Sequence, residues 1–242
     1  MTKFIVLPVP FETPAGAQII HPVIVSNEKY VVLVDTGLPG QLPLLEKLAD
    51  ERGVSLHRLT HVVITHHDMD HVGSLAALKR AYPSVQILSS SVEAEYISGK
   101  KVSPRIEMAL QRLNSMLSSD QQATLEYIEM LKSVEKVDVD KTFKEDELLA
   151  CFGGVLIIST PGHLPGHISL YFEQDKVLIA GDALSVENGQ LTKPNAYYTL
   201  NMDQALESAR KFLKYDIQQV ICYHGGIFEG DVKNALSKIV MA

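Results

Sequence analysis

The sequence predicts an α/β chain in which strands alternate with amphipathic helices, and three observations carry that expectation. Short β-branched runs recur along the chain and end at turn residues; leucines at helical spacing lie between them; and the stretch 91–134 has no β-branched run and is rich in Leu, Met, Gln and Glu. Elements interleaved at this density cover one another's apolar faces as α/β layers.

In chain order, FIVLPV (4–9), AQIIHPVIV (17–25) and YVVLVDTG (30–37) predict consecutive strands. Leu42, Leu45 and Leu48 repeat at intervals of three before Gly53, which predicts a helix over 41–52. A buried strand over 61–65 then runs into a polar loop, HHDMDHVGS. A helix over 74–82 stops at Pro83, and VQILSS (85–90) is a strand again. Two or three helices are expected in the insert, with Met108, Leu110, Leu113, Met116 and Leu117 as their packing stripe. Strands return at KVDVD (136–140), VLIIST (155–160), a hairpin over 169–183 and QQVICYH (218–224). Helices over 202–215 and 231–240 complete the pattern, and no internal repeat is visible.

Composition narrows the function classes. The chain has 242 residues, 46% of them hydrophobic, which excludes disorder and fits one domain with a core large enough to need no disulfides. Its net charge of −7, without a dense Lys/Arg run, argues against a nucleic-acid partner. Two cysteines, Cys151 and Cys222, are too few for a disulfide framework or a cysteine-rich zinc site, and Cys222 in VICYH is expected to be strand packing. Pro8 and Pro10 break the N-terminal apolar run, which does not fit a signal peptide, and no apolar stretch approaches the ~20 residues of a membrane span. A cytoplasmic location is the default expectation.

Chemistry concentrates in His66, His67, Asp68, Asp70 and His71, directly after a buried strand. Five ionisable groups so placed repel one another and resist desolvation unless a cation gathers them, and a metal ion does so. Three later loops each offer one more candidate donor beside a glycine: His163 in STPGHLPGH, Asp182 in VLIAGDA and His224 in VICYHGG. Glycine lets the backbone turn sharply at strand ends, where sites are built.

These motifs, with the DTG of Asp35 to Gly37 before them, resemble the metallo-β-lactamase superfamily over residues 30–225. That pattern is HxHxDH, a TPGH-type loop, an Asp nineteen positions later in a GD turn, and a final His. The resemblance implies a four-layer αββα sandwich over 1–242, with 91–134 as a helical lid insert. It also implies two divalent metal ions, one on His66, Asp68 and His163, the other on Asp70, His71 and His224, with Asp182 shared.

One position departs from the family. The second His of the motif is Asp68 here, giving HxDxDH, with His67 at a spacer position. Aspartate is a competent oxygen ligand, and a third carboxylate favours harder metals, so zinc is expected with iron or manganese as alternatives. Two ions facing three carboxylates and a hydroxide would be formally neutral, which weakens attraction for anionic substrates.

The resemblance implies a hydrolase in which metal hydroxide attacks an ester, lactone or thioester carbonyl, with Asp70 orienting the nucleophile and passing on its proton. Asp35 is expected to support the ligands from behind, and His167 reads equally as a second such support or as a simple loop residue. Tyr197 and Tyr198 follow the Asp182 loop, where a hydroxyl would stabilise an oxyanion. His21, His57 and His61 read as structural or exposed. Lys100, Lys101, Arg105 and Arg112 in the insert read equally as a solvated face or as attraction for a substrate carboxylate. Expected partners are a small-molecule substrate and, for assembly, a second copy in a homodimer, with neither nucleic acid nor membrane. The alternatives are an oxidoreductase on the same fold and a non-catalytic metal or small-molecule sensor.

Overall fold

The computed structural model describes residues 2–13, 16–115, 117, 121–144, 146–149 and 151–241. Proline punctuates its first strands. Pro8 divides the first predicted run into β1 (Lys3–Val6) and β2 (Val9–Thr13), and Pro22 divides the second into β3 (Gly16–Ile20) and β4 (Val23–Ser26). Strands β2 and β3 pair as a separate hairpin. There follow β5 (Val31–Val34), α1 (Leu42–Asp50), β6 (His61–Val63), α2 (Met69–Val72), α3 (Leu75–Ala81) and β7 (Gln86–Ser90). Among its described residues the insert forms three α-helices, α4 (Ser91–Ile97), α5 (Pro104–Ser115) and α6 (Gln122–Lys132), before β8 (Lys141–Phe143). The first sheet has the order β1-β4-β5-β6-β7-β8, with β5 to β8 parallel.

The second half supplies β9 (Leu148–Leu149), β10 (Val155–Ser159), β11 (Ile168–Phe172) and β12 (Val177–Gly181). A hairpin of β13 (Ser185–Glu187) and β14 (Gln190–Thr192) precedes α7 (Met202–Lys211), β15 (Gln219–Cys222), β16 (Gly226–Phe228) and α8 (Val232–Met241). The second sheet runs β16-β15-β12-β11-β10-β9, with β12 and β15 parallel.

Strand alternation explains the layering. Val23, Val25, Val32 and Val34 face Val155, Ile157, Leu170, Phe172 and Ile179 in a core between the sheets. The alternate residues Ile24, Leu33 and Ile87 point outward onto Leu45, Leu75 and Leu78 of α1 and α3. On the other side Leu178, Ala180, Val220 and Cys222 meet Phe212, Leu236 and Ile239. Both sheets are therefore covered on both faces, which is why β5 and β12 read as unbroken apolar runs. The layers are helix, sheet, sheet, helix. Cys222 is fully buried and free.

Three expectations fail locally. KVDVD is not a strand: the Asp140 carboxylate takes the Ile87 N–H at 2.7 Å, a bond that a backbone carbonyl would otherwise accept, and β8 begins one residue later. The polar loop after β6 contains one helical turn, α2, that carries Asp70 and His71. The Met/Leu stripe of the insert is not its packing face. Helix α5 buries Arg105, Ile106 and Ala109, whereas Met108 and Leu110 are exposed and Met116 lies outside the described residues. No helix among the described residues is long and apolar enough to cross a membrane.

Candidate metal centre

Parallel strands place their following loops on one edge. Asp35 follows β5, His66 to His71 follow β6, Asp182 follows β12, His224 follows β15, and His163 and His167 lie between β10 and β11. All reach the same rim of the sandwich. Two glycines make the approach possible. Gly181, at φ +55°, would bring a Cβ to 2.7 Å from His167 Nε2, and Gly225, at φ +92°, would bring one to 1.9 Å from the Val186 carbonyl oxygen.

Hydrogen bonds fix the imidazole tautomers. Asp35, itself at φ +62°, accepts the Thr65 N–H and the Thr65 hydroxyl, each at 2.8 Å, and His71 Nδ1 at 2.9 Å. A carboxylate only accepts, so His71 Nδ1 carries a proton and Nε2 is the nitrogen that faces the rim. Thr65, having donated its single hydroxyl proton to Asp35, accepts from His66 Nδ1 at 3.0 Å. Thr199 donates to the Asn195 carbonyl at 2.8 Å and so accepts from His163 Nδ1 at 3.4 Å. In all three rings Nε2 is the nitrogen left to ligate an ion, the arrangement in which partners behind a metal site orient its histidines. Tyr223 adds a further brace: its ring lies 3.8 Å from that of His71, and its hydroxyl donates to the Asp70 carbonyl at 2.5 Å.

The spacing of the donors suits an ion. Asp68 Oδ2 lies 3.1 Å from His163 Nε2 and 3.5 Å from His66 Nε2. Asp182 Oδ1 lies 3.4 Å from His71 Nε2, and Asp182 Oδ2 lies 3.5 Å from His163 Nε2 and 3.3 Å from His224 Nε2. Asp70 Oδ2 lies 3.3 Å from His224 Nε2 and 3.8 Å from His71 Nε2. Tetrahedral ligands about 2.0–2.1 Å from an ion stand roughly 3.3 Å from one another. His66 Nε2, His71 Nε2 and Asp182 Oδ1 are also buried with no hydrogen-bond partner, a costly state that a bound cation would relieve. The residues present fit divalent metal ions, and Asp182 is central because its two oxygens face both ends of the cluster.

Electrostatics agree with a site that expects positive charge. Burial opposes protonation of His71 and His224, yet Asp182 and its neighbours outweigh it, raising His71 well above the usual imidazole range and His224 to about 10. Burial opposes ionisation of Asp68 and Asp182 as well. The contacts of His163, His66 and Arg105 nevertheless hold Asp68 well below the usual carboxylate range, and the charges of His224 and His71 do the same for Asp182. Burial pushes His167 down to about 3. Its neutral ring donates to Thr160 through Nδ1 at 2.8 Å and accepts the Asp182 N–H at 2.9 Å, so it holds the Asp182 backbone.

Of the residues singled out from sequence, His66, Asp68, Asp70, His71, His163, Asp182 and His224 converge, with Asp35 and His167 behind them. Tyr197 and Tyr198 do not join them: they are 74% and 52% exposed and pack edge-on against each other. Of the four basic residues singled out in the insert, Lys100, Lys101 and Arg112 are exposed, whereas Arg105 enters the site. Its Nε donates to Asp68 Oδ1 at 2.9 Å and its Nη2 to Asp68 Oδ2 at 2.6 Å. The neutral balance expected from three carboxylates is therefore corrected by one guanidinium.

Sequence reasoning also missed Glu93. This fully buried carboxylate accepts the His67 N–H at 2.8 Å, His67 Nδ1, and the Gly166 N–H at 2.8 Å. His67 Nε2 then accepts the Ser103 hydroxyl at 2.9 Å. A spacer residue thus ties the donor loop to the insert. No local pattern announces contacts that span 26 and 36 positions.

Comparison with known proteins agrees with this geometry. The family model described as the metallo-beta-lactamase superfamily matches residues 16–224. The chain is 27% identical over 211 residues to a probable metallo-hydrolase, YflN, of Bacillus subtilis, covering 83% of this chain and 77% of that one. It is 30% identical over 146 residues to a hydroxyacylglutathione hydrolase of Bartonella henselae, covering 59% of this chain and 42% of that protein. The fold matches a metallo-beta-lactamase family protein of Thermus thermophilus with a TM-score of 0.76 at 22% identity, covering 98% of this chain and 78% of that one.

Proposed function

Because the chain belongs to the metallo-β-lactamase superfamily, we propose that it is a metal-dependent hydrolase acting on an ester-type carbonyl: an ester, a lactone or a thioester. The observation that carries the metal-dependent part is the convergence of seven His and Asp donors on one rim, three of their atoms buried without partners. Relatives named hydroxyacylglutathione hydrolase favour an acyl carbonyl as the bond class. Zinc suits the mixed imidazole and carboxylate set, with iron or manganese as alternatives.

Bound divalent ions supply Lewis acidity toward the carbonyl and acidify water toward neutrality. The chain's own residues do the rest. Asp35 and Thr65 hold Nδ1 of His71 and His66 and so aim their Nε2 atoms at the rim. Asp182, its N–H held by His167, spans the two ends. Asp70 directs Oδ2 at His71 and His224, and its second oxygen, Oδ1, takes the proton of the attacking water and returns it to the leaving group. From the first turn of α5, Arg105 reaches Asp68.

A panel of lactones, thioesters, oxyesters, β-lactams and phosphodiesters, assayed with zinc, manganese and iron forms, tests this reading. Turnover of an acyl substrate that falls at least about 100-fold in Asp70→Asn with metal retained is the expected result. Metal-loaded protein that turns over only phosphodiesters, or nothing in the panel, would overturn it.

A further inference from the structure

The two ends of the donor cluster are not equivalent, and Arg105 is the difference. We propose that Arg105 is the resident cation of the first position and competes with metal there. The chain then holds one divalent ion firmly at Asp70, His71, Asp182 and His224. It admits a second at His66, Asp68 and His163 only when the guanidinium is displaced. The inference rests on the metal-binding reading above and goes beyond it by assigning unequal occupancy to the two positions.

Geometry carries the assignment. The guanidinium meets both oxygens of Asp68 as a fork, the arrangement in which arginine binds a carboxylate most firmly. Its Nη2 also stands 3.3 Å from His163 Nε2. With Nδ1 of that ring committed to Thr199, Nε2 has one lone pair, which serves either the N–H of Arg105 or a metal ion. Two of the three donors of the first position are thereby engaged by an internal cation. At the other end, His71 Nε2 and Asp182 Oδ1 have no partner at all.

The arginine is also held in place. Ser103, two residues before it, gives its hydroxyl proton to His67 Nε2 at 2.9 Å and accepts the Arg105 N–H at 3.3 Å. His67 is fixed in turn by the buried carboxylate of Glu93 and stacks on Tyr96 with ring centroids 4.4 Å apart. His67 and Asp68 are adjacent in the donor loop, so the insert is pinned to that loop at two neighbouring residues. The Arg105 side chain is only 8% exposed, and its charge is permanent at any accessible pH. A cation that cannot be neutralised, fastened beside a carboxylate donor, excludes a second cation by repulsion and by occupying lone pairs.

Metal content decides the matter without an assay of turnover. Wild-type chain and Arg105→Met are loaded with zinc, dialysed at low free zinc, and measured by elemental analysis and titration calorimetry. The expected result is about one retained ion in wild type, with the second at least ~100-fold weaker, and two ions of similar affinity in Arg105→Met. Manganese forms give a second readout: isolated-ion electron paramagnetic resonance in wild type and spin-coupled pairs in the variant. Arg105→Gln, neutral but still a hydrogen-bond donor, replaces the Met variant if circular dichroism shows that it fails to fold. Two ions of equal affinity in wild type, or an unchanged second affinity in the folded neutral variant, would overturn the proposal. Absence of binding in every form would instead overturn the metal-binding reading itself.

Discussion

The guarded end of the rim, at Asp68 and His163, and the open end, at Asp70, His71 and His224, are built from the same residue types. They differ in what stands opposite them. The guarded end faces α5, which supplies a guanidinium and, through Ser103, a brace on the neighbouring His67. The open end is backed by Asp35 and Tyr223 from the sandwich itself and has two of the three buried atoms without partners, the third being His66 Nε2 at the guarded end. A third carboxylate in a metal site therefore does not have to mean a less positive site, because the fold can supply the compensating charge from an element distant in sequence.

The largest effect should come from erasing the comparison altogether. Asp182 alone addresses both ends, with Oδ1 toward His71 and Oδ2 toward His163 and His224. Asp182→Ala should lose metal from the whole rim and bring hydrolysis to background, measured by elemental analysis and the acyl-substrate panel. Retention of a full metal complement would show that Asp182 is not the shared ligand.

Glu93 tests the guarded end through stability. Its carboxylate accepts two backbone N–H groups and His67 while fully buried, so Glu93→Ala strands three donors. A loss of about 3 kcal/mol is expected, in the range for breaking a buried charged network, read from urea denaturation. A change under about 1 kcal/mol would mean that water replaces the carboxylate and that α4 does not brace the donor loop.

Asp35 tests the open end. Asn tolerates the φ of +62° but offers one acceptor oxygen and no charge. It cannot satisfy Thr65 and His71 together as the carboxylate does. Asp35→Asn should weaken metal binding by roughly 10- to 100-fold at the tighter site, the usual cost of losing a partner behind a metal ligand. Calorimetry showing unchanged affinity would remove Asp35 from that role.

These contrasts also locate what a sequence makes legible. The rim donors were readable because each sits beside a strand end marked by β-branched residues and glycine, a local signal repeated four times over. The α/β layering was readable in strands interleaved with helices, and the unbroken apolar runs of β5 and β12 match burial on both faces. Arg105, Glu93 and Ser103 carry no such signal, because their partners lie 26 to 37 positions away and pairing across that distance is decided by packing of the insert. KVDVD misled for a related reason: its alternation is real, but the Asp140 side chain took the backbone bond that would have made it a strand.

The smallest effect is the pH dependence of the metal-free chain, and it separates the two ends by sign. At the open end His224 is raised to about 10 and His71 well above its ordinary value by surrounding carboxylates. Between the unfolded value of about 6.5 and the folded value the native state binds more protons, so stability is full below about 6.5 and falls as pH rises toward 10. At the guarded end Asp68 is held low by His163, His66 and Arg105, and burial lowers His66. There the unfolded chain binds more protons in acid. Stability is present above the unfolded pKa of each group and falls as pH drops, first through the range of His66 and then through that of Asp68. Thermal melts of chelator-treated protein should therefore fall off on both sides of neutrality. His224→Ala should flatten the alkaline limb and remove only the Asp182 share of the acid limb, leaving the share of His66 and Asp68 in place. An alkaline limb unchanged by that substitution would show that the raised imidazoles of the open end do not stabilise the metal-free fold.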